Sequence, residues 1–467
     1  MADKLSDEEF LREINSLRAN VTEYQLGSSS LEDVRNQATY EYAGVAMGHL
    51  RPQGVSTIVD SSTTEVVDGY TAILSELLFD NNKLAKFTPI SNEPKAVHLT
   101  KQAEDITNHE IFIMNEGWLK LNTWAKAGIL WKNSIIRWDW CEDYHYDYEE
   151  YEEIDEAKLD ELLGDDQVEI IGELYPEEAI VEISPGQMEN RIVYRDVKIK
   201  RKHDMSRVTF DVVPHENFSI DRNAKSLDDF TYMGIDEDDV TKSELRKRFP
   251  EVFTDDFDKW DELDDLYNYR FRYERAASKD VTGETYNTAL EKKLSGLDEN
   301  HTFLVTECWL YADRDGDGIA EMRHVIYSGN FIIQDEYCKQ AYLAALCPIE
   351  IPYEFYGLSM ADITRSSTLT STAILRGFVE NVYLTNFSPR LADPNVVDFA
   401  ALQNMKPKSI IPTVGNPANA VSMMQPENIA PGTVPLLQQM QVNKEQANGL
   451  SKAAQGLNDE LYVSGNS

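Results

Sequence analysis

Apolar residues between Tyr353 and Leu391 recur at helical spacing. Met360, Ile363, Leu369, Ile374, Leu375, Phe378, Val382 and Tyr383 mark one long amphipathic helix over 360–387, and Ser and Thr fill its other faces. An aromatic turn containing Gly357 opens it, and Ser388-Pro389 closes it. The helix holds no charge pair, metal cluster or nucleophile arrangement that would do chemistry. So little charge suits packing beside copies of itself better than facing water, which points to a structural, assembling protein rather than an enzyme.

The same pattern organises the rest of the chain. Residues 1–50 read as helices, with Leu5, Phe10, Leu11 and Ile14 on one stripe, and Gly54–Phe79 as a further helix. Ile106, Ile111, Phe112, Met114, Trp118, Leu121, Trp124, Ile129 and Trp131 recur near the helical period and predict a helical core, with ligand stacking by the Trp set as the rarer reading. Ile135–Trp140 alternates like a strand. Short alternating segments from Gln167 to Pro214 (VEIIGEL, AIVEISP, RIVYRDVKIKRK, RVTFDVVP) predict an antiparallel sheet. Residues 241–300 return to helix, opened by Thr241 with Glu244 at the capping-box position, and 276–300 read as a polar loop. TFLVTECWLYA, EMRHVIYSG and NFIIQDEYC predict strands within 302–352. Residues 391–430 are proline-punctuated and predict a small β-rich module, and 434–455 a second helix. The fold class expected is α+β.

Charge changes this picture in two places. The 467 residues carry a net charge of −38, which disfavours gripping phosphates. Two readings stand: solubility, or a surface past which DNA slides without sticking. Residues 142–166 hold thirteen acidic residues against one lysine, expected as a solvated mobile arm or exposed helix. Lys198, Lys200, Arg201 and Lys202 form the basic cluster of the sequence, expected as a solvated strand face or as salt-bridge partners of that acidic block. Cys141, Cys308, Cys338 and Cys347 lack metal-ligand spacing and read as free, mostly buried thiols. No apolar run reaches transmembrane length, and the charged N-terminus lacks the apolar stretch of a signal peptide, so a reducing cytoplasm and no membrane partner are expected.

One motif looks like a site. Asp313, Asp315 and Asp317 alternate ahead of Gly318, like the first half of a calcium loop, with Glu321 as a possible fourth ligand. The position where a bidentate Glu belongs is His324, and the flanks are strands. The competing reading is a β-hairpin turn rich in Asp and Gly. No phosphate-binding GxxxxGK[ST], HExxH or GxSxG occurs.

The order of parts resembles the portal (head-to-tail connector) proteins of tailed bacteriophages, in particular the podovirus-type group. The likeness rests on ATYEYAGVAMGHLRPQGVSTIVDSSTTEVVDGYTAILSELLF, on VPHENFSIDRNAKSLDDFTYMG, and on WLYADRDGDGIAEMRHVIYSG followed by CPIEIPYEFYGLSMADITRSSTLTSTAILRGFVENVYL. The resemblance implies a portal fold with an α/β wing, a two-helix stem and a small β-rich clip. Residues 1–352 would be the wing: helical over 1–140, acidic over 142–166, β-rich over 167–352. Residues 353–390 would hold the first stem helix, 391–430 the clip, 431–455 the second stem helix and 456–467 the start of the tunnel loop. Members usually continue into another wing helix and a crown, and none of the 467 residues is assigned to those parts.

The implied function is a homo-oligomeric ring, most often of twelve copies, at one capsid vertex. It would pass double-stranded DNA in packaging and ejection. It would meet the terminase motor, a tail or adaptor protein, the major capsid protein and scaffold. Ile363, Leu369, Phe378, Val382, Leu437 and Met440 would pack the stem, and Asn395, Lys406 and Lys408 would lie on the partner-binding clip. Lys444, Lys452 and Asn458 would face the channel, with the alternative that Lys444 and Lys452 pair with Glu of the next copy. No cofactor is implied beyond the possible Ca²⁺. The rival readings are a calcium-binding hydrolase and another virion component, such as a head-completion protein.

Overall fold

The computed structural model describes residues 5–21, 25–26, 29–45, 56–79, 83–165, 167–172, 174–184, 187–254, 256–263, 301–386, 390–393, 395–403, 410–414, 416, 421–423 and 429–449. In chain order, helix α1 (Asp7–Val21) leads through strands β1 (Gln25–Leu26) and β2 (Ser29–Ser30) to α2 (Leu31–Ala43) and α3 (Ser62–Phe79). Helix α4 (Pro94–His109) runs into a π-helical turn at Glu110–Met114 and is followed by α5 (Gly117–Trp131). Then come β3 (Ser134–Cys141), β4 (Tyr144–Asp155), α6 (Glu156–Leu163), β5 (Val168–Ile171), β6 (Pro176–Ser184), β7 (Gln187–Asp204) and β8 (Arg207–Val213). The chain continues through β9 (Phe218–Ile220), β10 (Tyr232–Thr241), α7 (Lys242–Arg248), β11 (Thr302–Ala312), β12 (Glu321–Ser328), β13 (Phe331–Tyr337) and β14 (Leu343–Leu346). It closes with α8 (Met360–Asn386), β15 (Arg390–Ala392), α9 (Phe399–Gln403), β16 (Val421–Met423) and α10 (Ala430–Asn448). The fold is α+β, and it divides into two compact units: residues 1–84, 118–136 and 212–467, and residues 85–117 and 137–211.

The first unit is built on an antiparallel sheet ordered β13-β12-β11-β10-β9. Its central strand β11 is covered on both faces, so its residues read as a nearly continuous apolar run. Cys308 and Leu310 point to α1, where Phe10, Leu11, Ile14 and Val21 bury the helix's stripe. Trp309 points to the opposite face, with Met233, Ile235, Phe218 and Phe355. Arg18 crosses from α1 to the sheet. Both of its terminal nitrogens donate inward: one to both Asp236 oxygens at 2.8 Å, the other to Tyr327 Oη and Thr306 Oγ1 at 3.2 Å. A further cluster joins Ala38, Val67, Ile129, Leu130 and Ala361, tying α2, α3, α5 and α8 together.

The second unit holds a sheet ordered β4-β7-β5, with β6 also on β7. Ile154, Leu159, Val168, Val197 and Ile199 form its core. The acidic block, expected as an arm or helix, is largely a strand. β4 pairs along β7 from Tyr144↔Asp204 to Asp155↔Val193, and only 156–163 are helical. The basic cluster of β7 is the reason. Lys198 Nζ lies 2.6 Å from Glu150, and Arg201 sits 3.8 Å from Glu149 and 3.6 Å from Asp165. Lys200 and Lys202 cover the Tyr146 and Tyr144 rings at 3.9 and 3.6 Å. The self-repelling block is thus offset by the strand beside it, as the salt-bridge reading expected.

Other boundaries differ from expectation. α3 begins at Ser62, and residues 56–60 before it take no helical form; there the Asp60 N–H donates to Thr372 Oγ1 of α8 at 3.0 Å. The apolar stripe expected as a single core is only partly buried: Phe112, Leu121 and Ile129 are inside, while Ile106 and Trp118 are exposed. Cys308 is buried, Cys338 and Cys347 are half-buried, and Cys141 is exposed. α7 is capped as expected, Thr241 Oγ1 accepting from Glu244 N at 3.2 Å. The polar stretch 276–300 lies outside the described residues. No described helix is long and apolar enough to cross a membrane.

Candidate functional site

The long helix α8 starts from a tightly built corner. A Cβ at Gly357 would run into the Ile349 carbonyl oxygen and the Cys347 sulfur, so the turn before the helix requires glycine. Ser359 and Asp362 then cap the helix reciprocally. Ser359 N donates to Asp362 Oδ2 at 2.9 Å, and Asp362 N to Ser359 Oγ at 3.1 Å. Asp362 also receives Lys132 Nζ at 2.5 Å. Lys132 is almost fully buried and holds a left-handed backbone (φ 77°), a conformation that only surrounding contacts sustain. Burial pushes the Asp362 carboxyl up. Hydrogen bonds from Lys132 and Ser359 outweigh that and leave it below the ordinary carboxylate value. Arg365 extends the network to Asp362 Oδ1 at 3.2 Å and to Glu41 at 3.3 Å. Burial raises the Glu41 carboxyl above its ordinary value against the pull of Arg365.

The face that α8 buries within its own chain is small and hydroxylic. Ala361, Thr364, Thr368, Ser371 and Thr372 are buried. The Thr63 hydroxyl of α3 lies 3.4 Å from that of Thr364 and 3.2 Å from that of Thr368. The apolar residues are placed elsewhere. Leu369 is 52% exposed, and Val382, Tyr383 and Leu384 are exposed, while Ile363 and Phe378 are half-buried. α10 packs against α8 and repeats the pattern. Its Thr433 is buried, Leu437 and Met440 are half-buried, and Val434, Leu436 and Val442 are exposed. α10 spans Ala430–Asn448, not 434–455. Pro431 fits its first turn, and Gly449 in the left-handed conformation (φ 68°) ends it.

Lys444 lies on α10, and its Nζ is 2.5 Å from Glu65 Oε2 and 3.2 Å from Ser62 Oγ, both on α3 of the same chain. Lys444 thus has an acidic partner within its own chain. Lys452 and Asn458 lie outside the described residues, as do Lys406 and Lys408. Asn395 is exposed, and its N–H donates to Asp393 Oδ1 at 2.9 Å. The module around it contains the antiparallel pair of β15 and β16, a Val397↔Thr413 bridge and the short α9.

The Asp-rich turn joins β11 to β12. Ligand atoms of Asp313, Asp315 and Asp317 lie within 4.8 Å of one another. Glu321 stands apart as an exposed residue opposite Ala312 at the start of β12. Both Asp313 oxygens accept backbone N–H groups: Gly316 at 2.7 Å and Asp317 at 3.1 Å on one, Gly318 at 2.8 Å on the other. The hydrogen bond from Gly318 leads in holding this carboxyl below its ordinary value. Gly316 and Gly318 both take positive φ, 76° and 89°.

Sequence reasoning missed the Lys132–Asp362 pair and the hydroxylic inner face of α8. The Ser-Met-Ala-Asp run at 359–362 carries a capping signal that marks the helix start. Nothing in a single sequence marks Lys132 as buried. No curated protein matches the chain. The family model described as Phage SU10 portal protein matches residues 15–466, nearly the whole chain, in keeping with the portal resemblance, and the chain belongs to that family.

Proposed function

We propose that this chain is the subunit of a closed homo-oligomeric portal ring at one capsid vertex, through which double-stranded DNA is packaged and ejected. α8 and α10 are the two stem helices, and the proline-punctuated 391–430 is the clip. The wing comprises 1–352, and the tunnel loop begins near 456. Terminase and then a tail or adaptor protein dock on the clip, and capsid protein and scaffold surround the wing. The protein acts by geometry rather than chemistry. Head-to-tail contacts close a ring of about twelve copies.

The observation that carries this reading is the way α8 and α10 spend their apolar residues. After the contacts within the chain are made, Leu369, Val382, Tyr383 and Leu384 on α8 and Val434, Leu436 and Val442 on α10 remain exposed. Paired helices of low charge with open apolar residues suit burial against neighbouring copies. The net charge of −38 favours a bore that does not hold phosphates. The Asp313–Asp317 turn connects β11 to β12, and its Asp313 holds three backbone N–H groups.

Light scattering on the size-exclusion peak of purified protein tests the reading. A ring gives a mass of about twelve times 53.3 kDa with a central hole under negative stain, whereas a small oligomer without a hole favours the calcium-binding hydrolase. A species that stays at 53.3 kDa under all assembly conditions would overturn it.

A further inference from the structure

β4 and β7 bring three metal-ligating side chains to one face of the second unit. His145 and His203 are directly opposed across the antiparallel ladder. Opposed side chains share a face, with Cβ atoms about 4.5–5.5 Å apart. Asp147 lies two residues beyond His145 on the same strand, so the two-residue period puts it on that face as well. The carboxylate stands between the two rings, one oxygen to each, and a shared cation would draw the three solvent-facing side chains closer together. His145 Nε2 is 3.1 Å from Asp147 Oδ1, and His203 Nε2 is 3.1 Å from Oδ2.

The cations nearby are directed elsewhere. Arg201 stands opposite Asp147 on the ladder, but its guanidinium lies by Glu149 and Asp165. Lys200 and Lys202 belong to the other face, over the Tyr146 and Tyr144 rings. The acidic strand itself supplies a negative field that draws cations. His145 is 70% exposed, Asp147 53% and His203 41%, so a cation can enter from solvent and keep water on its remaining positions.

We propose that His145, Asp147 and His203 form a site for one divalent transition-metal cation of the zinc class, which clamps the edge strand β4 to β7. Two imidazole nitrogens with one carboxylate oxygen suit zinc and its neighbours. Calcium and magnesium prefer all-oxygen shells. The clamp would add to the ion pairs that hold an acidic edge strand in its sheet.

The test uses full-length protein stripped with a chelator and dialysed. Zn²⁺ is titrated by calorimetry, and Co²⁺ by visible absorption. Wild type is compared with H145Q, H203Q and the double variant, whose far-UV circular dichroism checks the fold. The expected result is one Zn²⁺ equivalent in wild type, a loss of at least about tenfold in affinity for each single variant, and loss of that equivalent in the double variant. Bound Co²⁺ gives a ligand-field band that the double variant lacks. Identical titrations of wild type and double variant would overturn the proposal. Should the variants not fold, wild type alone decides. Zn²⁺ shields His145 and His203 from diethyl pyrocarbonate in peptide mapping if the site exists, and unchanged modification of both overturns it.

Discussion

Helices α1 and α8 carry similar apolar periodicity and use it in opposite directions. α1 turns Phe10, Leu11, Ile14 and Val21 onto the sheet and buries them. α8 turns Thr and Ser inward and leaves Leu369, Val382, Tyr383 and Leu384 in the open. An apolar stripe reports that a helix face will be covered, not what covers it. In α1 the cover is the same chain. In α8 we assign it to neighbouring copies.

This contrast breaks or holds under substitution. The largest loss to the folded subunit is expected from Phe10→Ala, about 3–5 kcal/mol in urea unfolding, because Phe10 is fully buried against the sheet. Lys132→Met comes next, at about 3 kcal/mol, since it removes the buried cation from Asp362 and leaves the half-buried carboxylate to Ser359 and Arg365. Its companion Asp362→Asn has a pH signature. The folded carboxyl sits below its ordinary value of 3.8, so its contribution is fully present above that pH and is lost as pH falls through the lower folded value. The stability gap between wild type and D362N therefore closes below about pH 3.8. Glu41, raised by burial, acts in the reverse sense, so the comparison is made against wild type at each pH.

Thr368→Val removes one hydroxyl contact with Thr63 and should cost about 1 kcal/mol. The smallest effect on the isolated subunit is expected from Leu369→Glu combined with Val382→Glu, within about 0.5 kcal/mol per site. That same pair should abolish the ring, moving the light-scattering mass to a single subunit. A variant pair that destabilised the monomer by several kcal/mol, yet left a ring intact, would show that α8 covers its apolar face within the chain.

Much of the architecture was legible because it rests on period and punctuation. Strands β11, β12 and β13 stand out as apolar-rich segments between turn residues, and Thr241 announces α7. α8 was found within a residue of its end. Long-range pairing was less legible. β4 reads as an acidic solvated run until β7 is set beside it, since cross-strand charge compensation has no local signature. Trp118 and Ile106 follow the helical period yet face outward, because period alone does not distinguish a core face from an assembly face. Lys444 could be placed on its helix from sequence, but its partner Glu65 lies 379 residues away. The Asp-rich turn was legible as a turn, and its competing use as a cation loop could be weighed only once the Asp313 hydrogen bonds were known.

The account rests on the outward apolar residues of α8 and α10 being contacts between copies. Single-particle imaging of the assembled protein at side-chain resolution tests this most directly. The expected map is a closed ring in which Leu369, Tyr383 and Leu436 are buried against the next subunit. A ring in which these residues line solvent, with subunits joined through other surfaces alone, would contradict it.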